Sequence, residues 1–222
     1  TCEKERGERQ MHKMVENQVR ISVRDLVEFV LRSGDLDNRR LAVNWEAMRE
    51  GSRIHRKIQK RMGAGYQAEV AMKMAFPAGN VEIVLEGRAD GVMTEADGSV
   101  TIDEIKGMYQ DVTLFQEPLL VHRAQAVCYA YMYAVSHGME QMGIQMTYCN
   151  IETEETRRFQ EVCTMERLED EVQSYIREYA KWAQFLYEHR KKRNASIKGL
   201  EFPYPYRKGQ RDLVVAVYRS MI

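Results

Sequence analysis

The chain has 222 residues, 44% of them hydrophobic and 30% charged, enough for a substantial core. No uninterrupted apolar run approaches the roughly 18 residues that cross a bilayer. Lysine plus arginine (33) balance aspartate plus glutamate (33), so bulk charge demands no polyanionic partner. Cys2, Cys128, Cys149 and Cys163 show no C-x-x-C spacing, which argues against zinc ribbons and clustered iron–sulfur ligation and fits reduced thiols in a cytoplasmic protein.

Residues 1–18, "TCEKERGERQMHKMVENQ", are charged and lack the apolar stretch of a secretory signal, so they read as a flexible lead-in with Met14 as a candidate natural start. "ISVRDLVEFVLRSGD" predicts a helix with Ser22 as N-cap, Val23, Leu26, Val27 and Val30 on one face, and Gly34 as the stop. A second helix, rich in basic residues, is expected over about 45–62. Three strands follow in "YQAEVAMKMAFP", "NVEIVLEGRADGVM" and "SVTIDEIKGMY", with turn chemistry at "PAGN" and "ADGS". Pro118 opens a helix through about His137; "GIQMTYCNIE" and "TRRFQEVCTM" read as two more strands. A long helix over about 165–193 carries the stripe Val172, Ile176, Tyr179, Ala183 and Leu186, and a final short helix begins near Arg211. Helices flanking a mixed sheet make an α/β layered domain. Charge is uneven along it: residues 181–211 hold nine Lys/Arg against two Glu, and residues 152–172 hold eight acids against three Arg. The basic stretches at 39–61 and 181–211 permit nucleic-acid contact without demanding it, and solvated helix ends account for them equally well.

The segment "EGRADGVMTEADGSVTIDEIKG", residues 86–107, puts charged side chains inside strands. If Ala96, Asp97 and Gly98 form a three-residue loop closed by Gly98 in the left-handed region, Asp90 falls opposite Glu104, and Lys106 projects from the same face as Glu104. A two-residue Asp97-Gly98 turn would set Asp90 opposite Ile105 and split the acids. The longer loop is favoured because it assembles a site. Two adjacent carboxylates repel and need a cation. Lys106 supplies one charge, which alone would make a salt-bridged strand pair. A divalent ion supplies two and prefers hard oxygen ligands, so Asp90 and Glu104 suit Mg²⁺ or Mn²⁺. Such an ion polarises a phosphate oxygen and acidifies a water, and Lys106 can neutralise developing charge, which is the chemistry of phosphodiester hydrolysis. Asp103 alternates onto the face away from Lys106 and ranks below Glu104 as a ligand. Glu86 is a weaker candidate to assist the metal.

The order acid, hairpin, Glu-x-Lys resembles the PD-(D/E)XK nuclease superfamily, with Asp90 as the motif aspartate and "EIK" (Glu104, Ile105, Lys106) as the Glu-x-Lys. Upstream, "REGSRIHRKIQ" resembles the helix that carries a metal-binding histidine in the RecB-type branch, here His55. Downstream, "HRAQAVCYAYMYA" resembles its Gln-x-x-x-Tyr helix, giving Gln125 and Tyr129. These motifs cover about residues 20–190. The resemblance implies a restriction-endonuclease-like mixed sheet flanked by helices. It also implies a metal held by His55, Asp90, Glu104 and the Ile105 carbonyl, with Lys106, Glu104 and Asp90 acting in catalysis. Gln125 and Tyr129 would hold the substrate strand or the surroundings of the metal. Some members of that branch carry a four-cysteine iron–sulfur cluster; the cysteine spacing here departs from theirs, so no cluster is expected.

The tail "FPYPYRKGQRDLVVAVYRSMI" resembles the opening of an XPD/DinG-type DNA helicase, with Gln210 as an adenine-reading glutamine. No G-x-x-x-x-G-K-[ST] loop accompanies it. The expected organisation is a nuclease domain over 19–195 and, over 196–222, a linker with the start of a truncated helicase domain. The expected function is that of a metal-dependent DNA nuclease within a nuclease–helicase repair protein, partnered by DNA and by the helicase domain of the same parent chain, with no membrane association. The alternative is a catalytically silent module that uses the same fold to feed DNA to a helicase.

Overall fold

The computed structural model describes residues 17–34, 45–201 and 203–220. Met14, Cys2, most of the lead-in and part of the first basic stretch lie outside them. In chain order the elements are β1 (Gln18–Ser22), α1 (Val23–Val30), α2 (Trp45–Arg61), β2 (Tyr66–Ala78), β3 (Val81–Thr94), β4 (Val100–Met108), a 3₁₀ turn (Val112–Leu114), α3 (Leu120–His137), β5 (Gln141–Asn150), β6 (Thr156–Thr164), α4 (Met165–Ile197) and α5 (Gln210–Ser220). The chain divides into two compact units, residues 1–187 and 188–222. The first contains the whole sheet. In the second, α5 buries none of its residues.

Local chemistry accounts for the boundaries. Ser22 caps α1 by accepting the Asp25 N–H, and Gly138 closes α3 in the left-handed region with its N–H on the Ala134 carbonyl. Helix α1 stops at Val30, short of Gly34. Along α4, Val172, Ile176, Tyr179 and Ala183 are buried as the stripe predicts, but Leu186 is exposed, at the point where the first unit ends. Strand β1 was not foreseen. Its five residues pair in parallel with β3 far along the chain, and so short a run has too little alternation to be distinguished from a charged lead-in.

The sheet is mixed and six-stranded, ordered β1-β3-β4-β5-β6, with β2 also on β3. Strand alternation separates two layers of packing. Ile83, Leu85, Ile102, Ile144 and Met146 join Leu26, Val127, Leu168 and Val172 in the main core, under α1, α3 and α4. Ile105, Cys149 and Ile151 meet Ile54 and Ile58 of α2 in a smaller cluster. Helix α3 is buried continuously from Ala124 to Met132, as a helix in the middle of a layered domain must be.

Strand β3 is where the sheet forks. β2 pairs with it from end to end, whereas β1 pairs only with residues 82–86 and β4 only with 91–94. Between those two partners lie Gly87, Arg88, Ala89 and Asp90. Side chains satisfy the backbone there: Tyr129 Oη accepts the Arg88 N–H at 3.2 Å, and Gln59 Nε2 donates to the Asp90 carbonyl at 2.9 Å. Backbone polar groups left unpaired inside a fold are costly, so this gap is built rather than accidental.

Candidate active site at the β3–β4 hairpin

The hairpin closes through a three-residue loop. Gly98 takes φ +85° and donates to Glu95 O, the Glu95 N–H donates to Ser99 O at 2.9 Å, and the Ser99 N–H donates to Asp97 Oδ1. The ladder runs Thr94–Val100, Met93–Thr101, Val92–Ile102 and Gly91–Asp103. One step further the same register sets Asp90 beside Glu104. There the ladder gives way to a side chain: Asp90 Oδ2 accepts the Ile105 N–H at 2.7 Å. The motif aspartate is thereby tied to the backbone of the Glu-x-Lys segment.

Helix α2 brings His55 to the other Asp90 oxygen, with Nδ1 3.2 Å from Oδ1. Burial lowers the imidazole pKa, but the Asp90 hydrogen bond and charge outweigh it and raise it above its ordinary value. The helix is seated by Ile54 and Ile58 and by Glu154, in the turn after β5. Lys57 hydrogen-bonds both Glu154 oxygens, with Arg53 and Arg61 at 3.6 and 3.7 Å. Part of the basic stretch that permits nucleic-acid contact is therefore already engaged by an acid. Gln59, one turn beyond His55, holds the Asp90 carbonyl and was missed as a site residue, although it closes the quoted "HRKIQ".

Glu104 is 5% exposed, and Lys106 Nζ lies 2.7 Å from its Oε1. Burial pushes its carboxyl up to about 7; Lys106 pulls it down and the Asp90 charge adds to the rise. Its second oxygen, Oε2, is buried and unmatched. Among the described residues only two buried side-chain polar atoms lack a hydrogen-bond partner, Glu104 Oε2 and Gln125 Oε1. Each is an unsatisfied acceptor of the kind that folded proteins rarely leave without a reason. Tyr129, one turn after Gln125, approaches Gly87 so closely that a Cβ there would lie 2.5 Å from its hydroxyl, so only glycine allows Tyr129 to reach the fork.

Not every candidate joins this group. Asp103 is fully buried but accepts from Thr147 Oγ1 (2.6 Å), Gln145 Nε2 (2.9 Å) and Tyr66 Oη (3.2 Å). Glu86 faces Arg20 at 3.6 Å.

His55, Asp90 and Glu104 supply one nitrogen and several hard oxygens, and Glu104 Oε2 is an unmatched buried acceptor, so the donor chemistry fits a hard divalent ion. The other carboxylate oxygens have proton donors: His55 and the Ile105 N–H on Asp90, and Lys106 on Glu104. No group of three or more His, Cys, Asp or Glu side chains among the described residues is already arranged to hold a metal ion. Among the described residues no helix is long and apolar enough to cross a membrane.

The model of the PD-(D/E)XK nuclease superfamily matches residues 5–205. The chain belongs to that superfamily, and its mixed sheet flanked by helices is the restriction-endonuclease-like architecture. None of the curated proteins compared matches it. Among solved structures it is similar to SSO0001, at 19% identity and TM-score 0.48 over 71% of this chain and 74% of that one. It is also similar to LHK-Exo, an alkaline exonuclease from Laribacter hongkongensis, at 10% identity and TM-score 0.44 over 84% and 99% of the two chains. For LHK-Exo in complex with dAMP the values are 11% and 0.47 over 80% and 94%.

Proposed function

We propose that the chain is a divalent-metal-dependent deoxyribonuclease that hydrolyses phosphodiester bonds, with His55, Asp90, Glu104 and the Ile105 carbonyl holding Mg²⁺ or Mn²⁺. The observation that carries this reading is the buried, unmatched Glu104 Oε2, on a carboxyl that feels the charge of an Asp90 carboxylate tied to the Ile105 amide. A purely structural salt-bridged hairpin has no use for either.

The ion, when bound, would polarise the scissile phosphate and lower the pKa of the attacking water. Lys106 sits where negative charge develops during attack at phosphorus, and its ammonium stabilises that charge more than the ground state. Gln59 and the Ile105 N–H hold Asp90 by its backbone and its side chain, fixing one end of the site. Tyr129 fixes the other end through the Arg88 amide, and Gln125 turns an open acceptor toward its surroundings.

The finer parts of the reading extend this. The helices that carry His55 and Gln125/Tyr129 support a RecB-type nuclease, and the "YPYRKGQ" tail supports a helicase domain in the same parent protein acting in DNA repair. The test incubates the purified chain with end-labelled single- and double-stranded DNA in Mg²⁺, Mn²⁺ or EDTA. Cleavage with either ion and none in EDTA supports the reading. DNA binding without cleavage in any ion points instead to a silent binding module.

A further inference from the structure

Helix α3 begins with a histidine that the site described above leaves unused. His122 precedes Gln125 by three residues and Tyr129 by seven, so the three share one helix face. Its half-buried ring packs against Tyr148 with centroids 5.6 Å apart, and Nδ1 lies 3.1 Å from Tyr148 Oη. Tyr148 is opposite Lys106 in the parallel β4–β5 register and is fully buried. Phe115 stacks on its ring at 5.2 Å and 5°, so one tyrosine anchors both the segment after the Glu-x-Lys strand and the start of α3.

The hydrogen bonds determine which ring nitrogen carries the proton. Tyr148 Oη accepts the Leu119 N–H at 2.9 Å. Its own proton, inside the fold, has His122 Nδ1 as its acceptor, and leaving that proton unmatched would be costly. Tyr148 therefore donates to Nδ1, and the imidazole proton sits on Nε2. Burial, with the nearby charges of Lys106 and Arg24, pushes His122 down to about 4, so the ring is neutral at physiological pH. Nε2 has no hydrogen-bond partner among the described residues and is not sealed off from the surface. A donor fixed this firmly and left open, in the field of Lys106 and Arg24 although each is paired with an acid of its own, matches a phosphate oxygen.

We propose that His122 Nε2–H donates to a non-bridging oxygen of the DNA phosphate adjoining the one that is cut, which makes it a substrate-contact residue. The proposal rests on the nuclease reading for its substrate, but not on turnover for its test.

The full chain is prepared with His122→Ala, His122→Gln and His122→Asn. A glutamine amide can stand near Nε2, whereas an asparagine amide reaches only the Nδ1 side. Affinity for short oligonucleotides in EDTA and kcat/KM in Mg²⁺ are measured on strands carrying a single methylphosphonate at each linkage in turn. The alanine and asparagine variants should lose about 10-fold or more in both quantities, as expected for a hydrogen bond to a charged group, while glutamine keeps most of each. One methylphosphonate should weaken the wild type by a similar factor and add nothing to His122→Ala. The proposal is overturned if asparagine restores what glutamine does not, if all three variants match the wild type, or if every linkage affects wild type and variants equally. Should the alanine variant fail to fold, the glutamine–asparagine contrast decides. A wild type that never cuts defeats the nuclease reading, and the affinity measurements then still decide the His122 contact.

Discussion

Asp103 and Glu104 are consecutive residues on β4, both acidic, both buried, both raised above their ordinary pKa first of all by burial. The fold treats them oppositely. On one face Asp103 receives three side-chain donors, from Thr147, Gln145 and Tyr66, and Gln145 is itself steadied by Gln160 at 2.6 Å. On the other, Glu104 receives a single lysine and keeps one oxygen unmatched beside Asp90. A buried carboxylate with its hydrogen-bonding capacity filled is a structural rivet. One left short beside a histidine, an aspartate and a lysine marks a candidate functional site.

The sharpest way to break this contrast is Lys106→Ala. On the nuclease reading it should reduce cleavage by roughly 10²- to 10³-fold, the usual effect of deleting one transition-state charge stabiliser, with DNA affinity little changed. Cleavage at the wild-type rate in Mg²⁺ would make Lys106 a salt-bridge partner and nothing more. Next in size, Asp103→Ala should strand several buried donors and cost about 2–3 kcal/mol. In a chain of this length that is a melting temperature lower by roughly 4–12 °C. Glu104→Gln should leave melting nearly unchanged while abolishing cleavage. Equal thermal losses at the two positions would erase the distinction between rivet and site.

Tyr129→Phe removes the acceptor for the Arg88 amide at the fork and should lower stability by about 1 kcal/mol, measured by chemical denaturation. No loss would mean that water replaces the hydroxyl there.

The smallest effect concerns pH. Arg123 donates to Glu161 at 2.9 Å and to Glu171 at 2.7 Å. Its hydrogen bonds hold Glu161 below the ordinary glutamate value. Burial opposes ionisation of Glu171, yet Arg123 lowers that carboxyl too. Because the folded values are depressed, the stabilisation is present above the unfolded value of about 4.3 and is lost as pH falls through the folded ones. The melting temperature should therefore drop below about pH 4.3, and Arg123→Met should flatten that dependence. An unchanged slope in the variant would remove these pairs from the acid response.

Much of this architecture was legible in the sequence because its signals are local. Gly98 after Asp97 defines the loop, the loop defines the register, and period-two alternation then puts Asp103 and Glu104 on opposite faces and Lys106 with Glu104. The spacing of Val172, Ile176, Tyr179 and Ala183 likewise exposes the buried side of α4. What tertiary structure alone decided involves partners distant in the chain. β1 exists because β3 offers it an edge over residues 82–86. Three cations of α2 are held by Glu154, about a hundred positions away, and Gln59 reaches the Asp90 carbonyl across the fork. Nor does any spacing show that Thr147, Gln145 and Tyr66 converge on Asp103 while Glu104 Oε2 is left unmatched. Periodicity reports which way a side chain points, but hydrogen-bond satisfaction depends on what other segments deliver to that point, and only the assembled fold determines that.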